Sequence, residues 1–330
     1  MSLITGGKTV IGAYDESAYK TATASGIRLP FSNFNITPQQ PREKDPVMSG
    51  GYMGEARGVL GLKSVGGSVA TSLAPESIGF WLKHLIGTPV TTTAGSAFKH
   101  TFNVGIATDV PPGITFEQDF GTALGSATHR VLRYIGCCIN KGTLTFGNSG
   151  VIPVTFDVLG ANIVPAATPS DATLTDLGHT AWSATNFGMV LSNGTTIDAC
   201  IKSITCNHNN DLDGEQYCLS AGGIRDALPR GFVGADGQLV ALFDNDELLK
   251  QTLADTDASI VITVQRGTGA GTAGNEKLVL TYPAVTFAPA GVPVTGPKGV
   301  SLTADWMAHR TSGEIGIKAE LWNPQSSIVT

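Results

Sequence analysis

The chain is short of charge. Asp, Glu, Lys and Arg make up 15% of its 330 residues, against about a quarter in an ordinary soluble domain. A free monomer keeps more charge on its surface, so this shortage fits a protein covered largely by neighbouring copies. A β-rich secreted domain is the plainer reading of the same composition. Net charge is −6, and it excludes a sequence-independent grip on nucleic acid, which needs clustered Lys and Arg. There are five cysteines, an odd number, with Cys137 and Cys138 adjacent. That excludes a simple disulfide framework and leads us to expect assembly in a reduced, cytoplasmic compartment. No apolar run approaches the ~20 residues of a membrane span. The stretch Met1–Lys8 lacks a charged region followed by a long apolar one, so no signal peptide and no membrane partner are expected.

Glycine is abundant, at 41 residues, and Thr, Val and Ala are plentiful, as in all-β chains with many turns. The second half also echoes the first. Tyr134 and Tyr282 are each followed 23 residues later by an aspartate, Asp157 and Asp305, an offset of 148. Ile152-Pro153-Val154-Thr155-Phe156-Asp157-Val158 matches Val300-Ser301-Leu302-Thr303-Ala304-Asp305-Trp306, with apolar residues at even positions. That period of two marks a strand with one buried and one wet face. At an offset of 170, Gly61-Leu62, Gly67-Ser68-Val69 and Glu76-Ser77-Ile78 recur as Gly231-Phe232, Gly237-Gln238-Leu239 and Asp246-Glu247-Leu248. The two offsets differ, so a segment between the blocks is shorter in the second copy. The chain is long enough for two domains of roughly 150–180 residues, and residues 1–172 and 173–330 are expected to be two degenerate copies of one unit. Repeats of this kind build surfaces more often than single catalytic clefts.

Ile78, Trp81, Leu82 and Leu85 fall on one helical face after Pro75 and before Gly87. The counterpart begins at Asp244, where Asp244-x-x-Glu247 has the capping-box pattern before Leu248, Leu249 and Leu253. Strands are expected around Ile114–Glu117, Gly142–Phe146 and up to Val158. Others are expected at Ile197–Thr205, Gln238–Phe243, Ile260–Gln265, Lys277–Tyr282 and Gly299–Met307. Ala161–Ser170, with its prolines, reads as the linker, and Asn193-Gly194 as the turn that opens the second copy. The resulting fold class is mainly β: two tandem β-sandwich or barrel units, each with one short flanking helix and a long loop.

No motif for chemistry survives inspection. Gly269-x-Gly271-x-x-Gly274 follows a strand, but the next residues, Asn275–Leu280, read as another strand and not the helix that would hold a pyrophosphate. Cys200, Cys206, His208 and Cys218 lack the close spacing of a zinc knuckle. His84, His100, His129, His179 and His309 stand singly, far from any nucleophile motif. Glu117, Asp119, Asp157 and Asp305 lie on expected polar strand faces, where a solvated face is the better reading than a glycosidase pair. Neither a cofactor nor an enzymatic activity is expected.

The succession Leu29-Pro30-Phe31, Gly67-Ser68-Val69, Gly79-Phe80-Trp81-Leu82-Lys83, His100-Thr101-Phe102, Ile114-Thr115-Phe116-Glu117 and Tyr134-Ile135-Gly136-Cys137 resembles the tail tube proteins of long-tailed, siphovirus-type bacteriophages. Asn209–Tyr217 and Gly296-Pro297-Lys298-Gly299-Val300 extend the resemblance, which spans about Asp15 to Asn323. It implies a structural virion protein that stacks as rings into a hollow tail tube, the conduit for genome delivery. Tail tip or baseplate, tape measure and tail terminator proteins would be its partners, and double-stranded DNA would pass without specific binding. A chain with two copies should form a trimer with pseudo-six-fold symmetry. A hexamer with the second copy as an outer domain is the competitor. A bore that must not hold DNA should be weakly acidic or neutral, and Glu117, Asp119, Asp157 and Asp305 are the candidates to line it. The loops from Arg42 to Arg57 (with Glu43, Lys44, Asp45 and Glu55) and from Asp211 to Arg230 (with Asp213, Glu215, Arg225 and Asp226) are expected to reach the adjacent subunit or ring. The other class of reading is a β-rich virion shell or decoration protein, or a carbohydrate-binding module. The last should expose a row of aromatics, and only four Trp are present.

Overall fold

The computed structural model of the chain describes residues 5–44, 57–104, 111–121, 130–219, 222–294, 296–311 and 316–328. The first half contains β1 (Val10–Ala18), β2 (Thr21–Ala22), β3 (Ile27–Arg28), β4 (Asn33–Gln39), β5 (Arg42–Glu43), β6 (Val59–Leu60) and β7 (Ser64–Ser72). Helix α1 (Ile78–Leu85) follows, then β8 (Val90–Ala94), β9 (Ala97–Asn103), β10 (Ile114–Asp119), β11 (Val131–Phe146), β12 (Pro153–Gly160) and β13 (Asn162–Ala166). The second half contains β14 (Thr175–Asp176), β15 (Phe187–Ser192), β16 (Cys200–Asn209) and β17 (Gly234–Leu242). Helix α2 (Glu247–Leu253), β18 (Ala258–Gln265), β19 (Lys277–Phe287), β20 (Ser301–Ala308) and β21 (Lys318–Asn323) complete it.

Each half is two sheets that share one long strand. In the first, the leading part of β11 pairs with β10 and β13, and its trailing part pairs with β12. Gly136, at φ 65°, allows the bend between the two sheets. Trp81 of α1 plugs the gap, stacked on Phe156 of β12 at 4.3 Å and on Phe116 of β10 at 6.2 Å. In the second half β19 plays the part of β11, pairing with β18 and β21 and then with β20. The alternation read from the sequence holds in the echoed strands: Val154, Phe156 and Val158 of β12 and Leu302, Ala304 and Trp306 of β20 are all buried.

The echoes extend to strand register. Gly67 and Val69 face Val158 and Phe156 across β7–β12, and Gly237 and Leu239 face Trp306 and Ala304 across β17–β20. Phe34 of β4 faces Val69, and Ile204 of β16 faces Leu239. Even the irregularity between Ile114 and Phe116, where β10 meets β11, recurs between Ala258 and Ile260, where β18 meets β19. A register is set by many side chains at once, because a one-residue slip turns every one to the wrong face. Gly67 and Gly237 have a common cause. A Cβ would sit 1.8 Å from the Asn35 carbonyl oxygen at Gly67 and 1.9 Å from that of Thr205 at Gly237.

The shortened segment follows the second helix. After α1 the chain makes the hairpin β8–β9 before β10, whereas after α2 it runs directly into β18. Two readings are corrected. The tract Ala161–Ser170 is only partly a linker, since Asn162–Ala166 is β13, paired with β11. The capping box at Asp244 does not form: α2 begins at Glu247, whose backbone N–H donates to Asn245 Oδ1 and whose carboxylate accepts from the Asp198 N–H.

Candidate functional site

Two joins merge the halves. The trailing part of β11 pairs antiparallel with β16, from Lys141 opposite Asn209 to Phe146 opposite Ile204. This creates a continuous sheet, β4–β7–β12–β11–β16–β17–β20. The hairpin β8–β9 of the first half crosses to the second and adds β9 to the edge of β21, from Phe98 opposite Asn323 to Asn103 opposite Lys318. Leu144, Phe146, Ile204 and Cys206 are buried at the first join, so apolar area reinforces the ladder.

The outer face of the continuous sheet is polar. One row across it, following Cα partners, is Asn33, Ala70, Thr155, Thr143, Asn207, Asp236 and, as its one large apolar member, Met307. Asp157 is exposed and lies opposite Lys141 of β11. Asp305 is exposed and accepts from Gln238 Nε2 at 2.9 Å. Asp157 and Asp305 thus occupy matching points on the wet face of one sheet. Glu117 does not, and the expectation that it lies on a wet strand face is corrected: it is 2% exposed. The tract after β13 crosses the outside of β10, and Glu117 accepts hydrogen bonds from Tyr14 Oη at 2.9 Å, Arg133 Nε, and the backbone N–H and hydroxyl of Ser170. Asp119 is also off that face, held by Arg130 in a two-pronged pair at 2.9 and 2.8 Å. Nothing in the local alternation foretells this cover, because the covering residues lie about fifty positions away.

The two long loops have matching bases and different surroundings. Arg42 pairs with Leu60 in the first and Leu212 with Arg230 in the second. The second loop lies on the first half of the chain. Arg225, 6% exposed, donates to the carbonyls of Gly214 and Gly160, and Arg230 donates to the His84 carbonyl at 2.7 Å. Burial lowers the Arg230 guanidinium to about 10. Asn210 donates to the Ile139 carbonyl and the Leu212 N–H to Asn140 Oδ1. Asp226 meets Lys20 at 3.3 Å, while Asp213 caps the Glu215 N–H. Asp211 takes a left-handed conformation, at φ 46°, where the loop leaves β16. In the first loop Arg42, Glu43, Lys44 and Arg57 are exposed, as are Val59 and Leu60. Asp45 and Glu55 lie outside the described residues.

The remaining titratable clusters are internal. Burial pushes the Asp15 carboxyl up, but the hydrogen bonds and charges of His84 and Lys83 outweigh it and hold it at about 2. Burial also raises Glu16, against hydrogen bonds from Thr115 and the Gly136 N–H. His208 is lowered by burial to about 4 and meets the Tyr282 hydroxyl at 3.0 Å. Among the described residues no three His, Cys, Asp or Glu side chains come together as metal ligands. None of their helices is long and apolar enough to cross a membrane. The Gly269–Gly274 stretch is the turn between β18 and β19, with Gly269, Gly271 and Gly274 all at positive φ.

A family model described as phage tail tube protein matches residues 6–308 of the chain. No curated protein matches it.

Proposed function

Because the chain belongs to the phage tail tube protein family, a structural component of the virion tail, we propose that each chain supplies two successive wall segments of a ring, that rings stack into the tube, and that the genome passes through it. The units are residues 1–172 and 173–330, and three chains close one ring with pseudo-six-fold symmetry. The join between β11 and β16 carries this reading. It links two halves of equal register through a sheet, and a head-to-tail step of that kind, repeated, closes into a ring when its rotation permits. A closed ring of this kind also leaves that sheet no open strand edge for aggregation.

In this reading the outer face of the continuous sheet lines the bore. It presents Asp157, Asp236 and Asp305 against Lys141, a polar and weakly acidic wall that repels a phosphate backbone and keeps it off the surface. The tube works without catalysis or cofactor, is assembled in the host cytoplasm, and meets tip, tape measure and terminator proteins at its ends. Electron microscopy of concentrated purified protein tests the proposal. Stacked rings or tubes are expected; sheets or spikes would move the chain to the shell or decoration class.

A further inference from the structure

The continuous sheet ends on one side at β4 and on the other at β20, where β19 pairs with its end through Val285–Phe287 and goes no further, and the internal repeat shows how these two ends fit one another. We propose that residues 289–294 of one chain pair antiparallel with β4 of the next, in the register that β11 already uses with β16. The proposal rests on the ring reading above and adds the surfaces and their alignment. β4 stands in the first half where β16 stands in the second, since Phe34 and Ile204 face the equivalent residues Val69 and Leu239. β19 ends at Phe287 and residues 289–294 form no strand within the chain, but they occupy the positions that Lys141–Phe146 hold in β11, because Phe287 faces Trp306 as Ile139 faces Val158; in the proposed pairing they become strand on assembly. Within the chain, β16 has a second neighbour on its far side, whereas β4 is bonded to β7 alone among the described strands.

Transferring the β11–β16 register places Val294 opposite Phe34, Val292 opposite Ile36 and Gly291 opposite Thr37. The apolar positions match those of the internal join, where Phe146 faces Ile204 and Leu144 faces Cys206. Val294 is 74% exposed, a large apolar side chain with an assigned partner only in the next chain. The prolines are compatible. At the internal join the Asn210 N–H donates to the Asn140 carbonyl. Hydrogen-bonded pairs recur every second residue, so the positions of Gly142, Leu144 and Phe146 bond across it and those of Lys141, Thr143 and Thr145 do not. Pro289 and Pro293 fall at the non-bonding positions, so neither removes a bond from the new ladder; Pro38 removes one.

A second contact agrees. The loop bearing Arg230 lies over His84 of the other half. The same placement between chains sets Leu60, 54% exposed, over Ala254 and beside Leu253, 65% exposed. An arginine–carbonyl contact within the chain becomes an apolar contact between chains.

Disulfide trapping in assembled protein tests the register. At the internal join the pair equivalent to Thr37 and Gly291 is Asn207 and Thr143, whose side chains touch at 3.0 Å. Under mild oxidation the double variant Thr37→Cys, Gly291→Cys should give a ladder of linked chains on a non-reducing gel, with roughly tenfold more product than Asn35→Cys, Pro289→Cys, a pair four residues out of register and beyond disulfide reach. The two single variants control for the five natural cysteines. Equal linking by both pairs, or tubes without linking at Thr37 and Gly291, would overturn the join and leave the tube reading standing. Wild-type protein that forms no rings would overturn the tube reading and the join with it. If the variants do not assemble, amide hydrogen exchange on wild-type tubes decides: residues 290–294 and 34–36 should slow at least about tenfold on assembly, and unchanged exchange would refute the pairing.

Discussion

The two halves differ most where they touch. Within the chain, the first half reaches the second through two ladders, β11–β16 and β9–β21. In the proposed ring, the step from the second half to the first half of the next chain would use only one of these, because the hairpin β8–β9 has no counterpart after α2. The loops repeat the contrast. The second is pinned to the first half by Arg225 and Arg230, while the first ends in exposed Val59, Leu60 and Leu62. In the proposed ring, joining two units in one chain consolidates one junction into the fold and leaves the other to be made during assembly. The consolidated junction is bought with buried apolar side chains, and the open one keeps its apolar side chains in water until a partner arrives.

The largest expected effect sets the two junctions against each other. Phe146→Ala, at the internal join and 1% exposed, should cost the isolated chain about 3–5 kcal/mol in urea unfolding. Val294→Asp, at the equivalent position of the open join, should change that stability by less than about 0.5 kcal/mol while raising the concentration needed for assembly at least roughly tenfold. Similar stability losses at both sites would erase the distinction.

Next comes acid sensitivity at one position of the repeat, where β16 has His208 and β4 has Pro38; His84 and His100 of the first half are also lowered by burial. The folded pKa of His208, about 4, lies below its ordinary 6.5. Its contribution is therefore complete above pH 6.5 and is lost as pH falls toward 4, by up to about 3 kcal/mol. His208→Gln should reduce the loss of stability over that window, leaving the part due to His84 and His100. Asp15, held at about 2 against its ordinary 3.8, contributes fully above pH 3.8 and is lost only as pH falls from there toward 2.

A smaller effect separates the loops. Arg225→Ala leaves the Gly160 carbonyl without its guanidinium donor and should cost about 1–3 kcal/mol, with faster proteolysis in residues 211–219 and 222–230 and, through the Lys63 N–H bonded to the Gly223 carbonyl, at most a small change at Lys63, and none in residues 57–60. Smallest in stability is the charge reversal Asp157→Lys with Asp305→Lys, within about 0.5 kcal/mol for the exposed positions. Assembled tubes of that variant should nevertheless retain double-stranded DNA at low salt, where the parent tubes do not.

Much of the architecture was legible in local alternation. Val154-x-Phe156-x-Val158 and Leu302-x-Ala304-x-Trp306 gave two strands and an offset that proved to be a shared register, since the same side chains set both. Gly67 and Gly237 were visible as an echo, though only the close carbonyls of Asn35 and Thr205 explain them. What stayed hidden depends on distant chain. Glu117 looks wet in sequence because its covering residues, Ser170 among them, arrive from beyond β13. β13 was masked by Pro165, which β11 accommodates at the sheet edge. The destination of β8–β9 could not be read at all, because its partner β21 lies more than two hundred residues away.

If one chain makes two steps of the ring, the number of chains per ring reveals it most directly, and electron microscopy of assembled tubes counts them. Three chains with pseudo-six-fold density is the result expected. Six chains per ring, with the second half outside the wall, would contradict it.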